Sequence, residues 1–310
     1  MLGNALSILH NPFFYFDAIG EAIVSIYPFI VKTSKLDIPM QTAIRLGTYA
    51  IISLLFSNWS ILSAIPLLQL VVIAFINIAH ITTSYYGFRN LNPSLAQSIF
   101  YIFPFLNLVF NIVFLGENIA YSKFIMILPI LLTVYFIYKQ NENGLQHTRV
   151  EHNPEKQKEM PNNPPQNIRK GIPLILGAMV TESLLYIFIK TSNIGVNPWN
   201  NVLVTYGLAG FLYAIYWSYQ YGHTVYDHWK ENRFEIAKLI AMNVVIGSFG
   251  YGLRFASITQ LPSVVYSGLS YIGIFMAVVY GILFKVEPMT ETKIGGLVAL
   301  FVWLLIFQAI

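Results

Sequence analysis

The chain contains no cysteine, which excludes disulfides, thiolate metal sites and thiol catalysis while leaving the redox compartment open. It is also poor in charge. Asp, Glu, Lys and Arg supply only 10% of its residues, well under the roughly one quarter usual in soluble globular proteins. The few basic residues give a net charge of +4 but are scattered over loops, with no basic cluster interleaved with aromatics, so nucleic-acid binding is excluded. Neither a second His nor a carboxylate stands at helical spacing from a His in the apolar runs, so no metal site is expected, and no cofactor motif is present. The N-terminal stretch "MLGNALSILHNPFFYF" lacks a basic leader and a small-residue cleavage site and is expected to be retained.

Apolar residues are plentiful. They make up 56% of the 310 positions and fall in runs of about 20, the length a helix needs to cross about 30 Å of hydrocarbon, without the short alternation of a membrane β-barrel. The sequence therefore predicts an all-α polytopic, multi-pass membrane protein whose first partner is the lipid bilayer. Ten spans are expected, near 14–32, 40–57, 62–86, 93–115, 120–138, 171–190, 200–219, 235–256, 262–284 and 290–309. Between the fifth and sixth lies "KQNENGLQHTRVEHNPEKQKEMPNNPPQNIRK", too polar to bury a core and read as a flexible linker. The chain thus divides into a first five-helix unit (1–139), a linker (140–170) and a second five-helix unit (171–310).

The two units carry ordered echoes of each other. "KTS" at Lys32–Ser34 returns at Lys190–Ser192, and "YGFR" at Tyr86–Arg89 returns as "YGLR" at Tyr251–Arg254. "YI" at Tyr101 recurs at Tyr271, Glu117 recurs as Glu287, and "SKF" at 122–124 recurs as "TKI" at 292–294. The spacing grows slowly, from about 158 to about 170 residues, as a duplication with small insertions requires. Five crossings per unit make the second copy enter from the opposite side, so the repeats are expected to be inverted about an axis in the membrane plane.

A longer pattern runs through these echoes. It comprises a first helix ending in Lys32, Arg45 in helix 2, the segment "SYYGFRNLNPSLAQSIFYIFPF" with mid-helix Pro104, and "FLGENIAYSKF" with Gly116 and Glu117. The second half answers with Lys190, "YGLRFASITQLPSVVYSGLSYIG" and "FKVEPMTETKIGGLVALFVWLLI" with Glu287. This pattern resembles the drug/metabolite transporter superfamily, in particular its EamA-like members, from about residue 18 to 309. Two departures mark a divergent member: Ile274 where a second mid-helix Pro is usual, and Lys285-Val286 before Glu287. The resemblance implies ten helices around a central cavity, a small polar metabolite as substrate, and Pro104, Glu117 and Glu287 as structural hallmarks. It also implies cytoplasmic termini. The positive-inside rule opposes that orientation: cytoplasmic termini would leave only Lys123, Lys190 and Arg254 on the inner side. Charge thus favours a cytosolic linker.

Ionisable groups at bilayer depth are expensive, and each is a functional candidate. Glu21 in helix 1 and Glu182 in helix 6 are candidates for binding a cation or taking up a proton, with structural pairing near a helix end as the alternative. His80, between Asn77 and Ser84 on one helical stripe, is a candidate proton relay or an interhelical hydrogen-bonding group. Gln97, Tyr101, Tyr186, Ser267 and Tyr271 are candidates for lining a cavity that binds polar solutes weakly enough to release them. Arg45, Arg89 and Arg254 are candidate gates or anchors. For Arg45 the expectation is a snorkelled side chain, and for Arg89 and Arg254 an anchor at the ends of helices 3 and 8. Asn243, Gly247, Gly250 and Arg254 share a face of helix 8 whose small residues are expected to serve packing. Glu117 and Glu287 are expected to cap the next helix or fix a hairpin.

These features favour a secondary transporter or exchanger working by alternating access. An integral membrane enzyme, such as a lipid-modifying transferase, would need a clustered catalytic motif, and none is present. A non-transporting scaffold would need large extramembrane domains. No ATP-binding loop is present, so a gradient or exchange is the expected energy source. No motif fixes the assembly state, and a homodimer stays open.

Overall fold

The computed structural model describes residues 10–150, 167–192, 197–222, 224–284 and 291–309. Every regular element among them is helical. In chain order, α1 comprises Pro12–Val24 and Tyr27–Thr33, α2 is Ile38–Phe56, α3 is Leu67–Asn90, α4 comprises Pro93–Phe100 and Phe103–Leu115, and α5 is Tyr121–Val150. Then follow α6, Ile168–Thr191; α7, from Pro198 to Tyr221; α8, Thr224–Val245 continued to Ile258; α9, Ser263–Ser270 and Ile272–Leu283; and α10, Glu291–Ala309. Seven of these are long and apolar enough to cross a membrane: α1, α3, α4, α6, α7, α8 and α9. The apolar parts of α5 and α10 are shorter, Tyr121–Thr133 and Ile294–Phe307.

Local chemistry sets the ends. Asn11 accepts from the Phe13 amide at 3.0 Å, Asp37 from Met40 at 2.9 Å, and Asn197 from Trp199 at 3.0 Å, each just before a proline in the first turn. That pairing satisfies amide groups the helix leaves unbonded and sets the entry φ in advance. Helix α4 stops at Gly116, whose φ of 66° lets the Glu117 amide reach back to the Asn111 carbonyl at 3.1 Å, a left-handed C-cap that glycine adopts without steric cost. Helix α5 continues to Val150, well into the segment read as linker. Its Lys, Gln, Glu and Leu favour helix more than their polarity suggests.

Three helices are interrupted. In α1 and α4 the cause is Pro28 and Pro104, which lack the N–H that would bond the preceding turn. Helix α9 breaks at Tyr271 with Ile274 in place of a proline. Tyr101 and Tyr271 thus stand at matching breaks in the two halves. Two further helices are widened into π turns, α7 at Leu203–Gly207 and α8 at Ile246–Tyr251.

The packing has a regular scheme. Helix α3 lies on α6, α1 on α8, α2 on α7, α4 on α9, and α5 on α10, with further contacts of α4 on α6 and α1 on α9. The paired helices run in opposite directions. Gly171 at the start of α6 abuts Leu91 just past α3, whereas Gln69 at the start of α3 bonds Ser192 after α6 at 3.1 Å. Tyr221 reaches Asp37 at one end of the α2–α7 pair, and Asn200 bonds the Asn58 amide at the other. Where α1 crosses α8, a β-carbon on Gly20 would stand 2.8 Å from the Gly250 carbonyl oxygen. The backbones therefore touch there, in keeping with the packing role expected of the small residues of α8.

Candidate functional site

The close crossing of α1 and α8 sets Glu21 beside Arg254. The Arg254 Nε lies 2.6 Å from one Glu21 carboxylate oxygen, and its terminal nitrogen lies 2.7 Å from Glu182 of α6. Glu21 also accepts from the Tyr101 hydroxyl at 3.0 Å and from Ser270 at 3.2 Å. The other Glu182 oxygen lies 3.4 Å from His80 Nε2, while His80 Nδ1 faces the Ala178 carbonyl at 3.0 Å. A carbonyl only accepts, so Nδ1 carries a hydrogen. Nε2 then meets a carboxylate, and a proton must lie between them, on the ring or on the acid.

Four sequence candidates from four helices, Glu21, His80, Tyr101 and Glu182, thus meet around Arg254. Arg254 does not anchor a helix end. It lies one turn before the end of α8 at Ile258, is 6% exposed, and bridges two buried carboxylates. Arg89 stays at the end of α3, where its guanidinium donates to the carbonyls of Ser34 at 3.0 Å and Leu36 at 3.2 Å in the α1–α2 turn.

Two cavities flank the Glu182–Arg254 pair and share Tyr251 with it. One, with an empty volume of about 380 Å³, is lined by Tyr27, Arg45, His80, Ser84, Gln97 and Tyr101 among others. It lies toward the end of the bundle that holds the α3–α4 turn. The other, about 360 Å³, is lined by Asn77, Tyr186, Thr205, Tyr206, Phe255 and Tyr266 among others. It lies toward the end that holds the α8–α9 turn. Tyr186 stacks on Tyr266 at 5.2 Å between centroids. Ser267 and Tyr271 are buried but line neither cavity.

Arg45 is not snorkelled. It is 2% exposed, enclosed by tyrosines from five positions. Its guanidinium carbon lies 4.1 Å from the Tyr27 ring centroid, 5.2 Å from that of Tyr251 and 5.4 Å from that of Tyr85. It donates to the hydroxyls of Tyr85 and Tyr206 at a long 3.5 Å and, closely, to Tyr251. Tyr49 completes the cage, bonded to Tyr27, which in turn donates to Asn243 at 2.7 Å. The π turns of α7 and α8 carry Tyr206 and Tyr251, and such turns reorient side chains that a regular helix would hold elsewhere.

Sequence reasoning missed Asp17, which is fully buried with neither oxygen hydrogen-bonded within the structure. Its position four residues before Glu21, on the same helical face, was the available signal. Glu117 makes its contacts across the halves. It accepts from Ser263 at 2.7 Å and lies 3.8 Å from Lys190, so it ties the α4–α5 turn to the second half. Pro104 stands in the first turn of the second α4 segment. Glu287 lies outside the described residues. Among the described residues no cluster of metal-ligating side chains occurs.

This architecture, an all-helical bundle with a charged network buried among apolar spans, defines a multi-pass membrane protein. Residues 16–139 match the model of the EamA-like transporter family, which is part of the drug/metabolite transporter superfamily. A solved structure described only as a crystal structure of a protein superposes with a TM-score of 0.62 at 11% identity, covering 96% of this chain and 94% of the other. At that identity the likeness concerns the fold, which here extends over both halves. No curated protein matches the chain.

Proposed function

We propose that the protein is a secondary transporter or exchanger of a small polar metabolite, built from two inverted five-helix repeats, 1–139 and 171–310, joined by the 140–170 segment. The observation that carries this reading is the Glu182–Arg254 pair, set between two cavities that lie toward opposite ends of the bundle. A polar plug with space on either side is what alternating access requires. The helix pairing supports the repeat. Exchanging α1–α5 with α6–α10 converts α3–α6 into α8–α1 and α4–α6 into α9–α1, and maps α2–α7, α4–α9 and α5–α10 onto themselves. The interrupted α1, α4 and α9 belong to the same reading, because broken helices near mid-membrane free backbone groups for solute contact.

The absence of cysteine makes the test direct. Ser84→Cys places a single thiol in one cavity and Thr205→Cys places one in the other. In oriented proteoliposomes the two thiols are expected to react with a membrane-impermeant maleimide from opposite faces, and a transported solute should raise one rate while lowering the other. Labelling of both from the same face, with no uptake of any labelled small metabolite, would refute the reading.

A further inference from the structure

Within the buried network one cation stands apart from the carboxylates. Arg254 is shared by Glu21 and Glu182, and Glu182 also faces His80. Asp17 adds a third carboxylate on the α1 side. Arg45, by contrast, has no carboxylate within ion-pair distance among the described residues. It has tyrosine hydroxyls, two of them at 3.5 Å, and ring faces, and its Nε has no hydrogen-bond partner. A buried charge without a counter-charge is costly even when hydrogen-bonded, and ring faces offset only part of that cost. The guanidinium also lines the cavity of about 380 Å³, whose walls include Tyr27, Phe88, Phe100, Tyr101 and Glu182.

We infer that Arg45 receives the carboxylate of a small monoanionic solute whose apolar or aromatic body lies against those walls. The inference rests on the transporter reading and specifies the solute class for the same site. Three observations select a monoanion. The guanidinium supplies one charge, and its planar fork matches a carboxylate in two parallel bonds. A dianion would bring a second charge into a chamber that already faces Glu182. A cation would meet Arg45 and Arg254 from both sides.

The test uses purified full-length protein and three probes that share a phenyl ring but differ in headgroup: 3-phenylpropionate, phenethylamine and phenyl phosphate. Thermal unfolding in detergent is expected to shift upward with the carboxylate alone. Arg45→Gln should remove that shift, with affinity falling at least tenfold, and Arg45→Lys should restore part of it. A readout without ligand separates binding from scaffolding. If Arg45 awaits an anion, ligand-free Arg45→Gln unfolds at the same or a higher temperature than the parent chain, because an uncompensated charge has been removed. A lower unfolding temperature for ligand-free Arg45→Gln would make the cage structural and overturn the inference. So would a shift with phenethylamine equal to that with the acid, or no shift with the acid in the parent chain. Binding is scored in detergent and transport in liposomes, so failure of the inference and failure of the transporter reading are distinguishable. Uptake of amines or neutral solutes with no role for Arg45 sinks only the former.

Discussion

The two halves hold one device in nearly the same form and another in sharply different forms. At the end of α1, Lys32 donates to the carbonyls of Arg89 at 3.0 Å and Leu91 at 3.2 Å, fastening the α3–α4 turn. At the end of α6, at the opposite end of the bundle, Lys190 donates to the Leu261 carbonyl at 3.4 Å and closely to Ser263, fastening the α8–α9 turn. The arginines of the echoed tetrapeptide part company. Arg89 stays at its turn and satisfies carbonyls, while Arg254 lies a turn deeper and holds two carboxylates. The π turn just before Gly252 occurs only in the second half among the described residues, and it shifts "YGLR" relative to the helix end. Backbone locks repeat because any inverted pair of hairpins needs them. The charged centre is single because the Arg254 guanidinium reaches two carboxylates where that of Arg89 reaches carbonyls.

The largest break in this comparison should come from Arg254→Leu. It leaves Glu21 and Glu182 buried without their cation, and a loss of about 3–5 kcal/mol is expected, against about 1–2 kcal/mol for Arg89→Leu. Thermal or denaturant unfolding in detergent compares them directly. Equal losses would show that the two arginines do the same work.

Next in size are the close approaches. Gly20→Ala forces a methyl against the Gly250 carbonyl, and Gly273→Ala drives one into the Tyr101 ring. Each should cost about 1–3 kcal/mol from overpacking. Gly47→Ala and Gly295→Ala meet open space and should be neutral or stabilising by up to about 1 kcal/mol. A calorimetric ranking that mixes the two groups would contradict the packing described for α1, α4, α8 and α9.

Lys32→Met and Lys190→Met sharpen the symmetric side. Each removes charge-assisted bonds to a turn, so matched losses of about 1.5–3 kcal/mol are expected. Hydrogen exchange should quicken at the α3–α4 turn in the first variant and at the α8–α9 turn in the second. Exchange that quickens at both turns in either variant would mean the locks are not independent. The smallest effect belongs to Pro104→Ala. A continuous α4 gains one backbone hydrogen bond, worth about 1 kcal/mol, while Ile274→Pro at the matching site removes the bond that its amide donates to the Tyr271 carbonyl at 3.1 Å and should cost about 1 kcal/mol. A loss above about 3 kcal/mol for Ile274→Pro would show that the proline ring also clashes with the preceding turn.

Much of this was legible in the chain. Hydropathy located the apolar runs because lipid exposure forces whole spans to be nonpolar, and Glu21, His80, Tyr101 and Glu182 stood out as polar groups in those runs. Other features were hidden for physical reasons. Arg45 reads as a snorkeller near a helix start, since nothing local reveals five tyrosines that converge from α1, α2, α3, α7 and α8. Arg254 reads as a terminal anchor because sequence spacing does not register a π turn. Asp17 lies close enough to the start of α1 to pass for a boundary residue, and only the packing of α8 and α9 against it shows its burial. Removing Arg254 from the loops leaves Lys123 and Lys190 as the basic residues on the terminal side, which widens the charge bias toward a cytosolic linker.

The two breaks at Tyr101 and Tyr271 meet at one carboxylate. Glu21 accepts from Tyr101, where the first segment of α4 ends, and from Ser270, where the first segment of α9 ends. Each of those segments leads outward to a turn clasped by its own lysine, one at either end of the bundle. A single side chain on α1 thereby joins two helix breaks whose turns lie at opposite ends of the bundle.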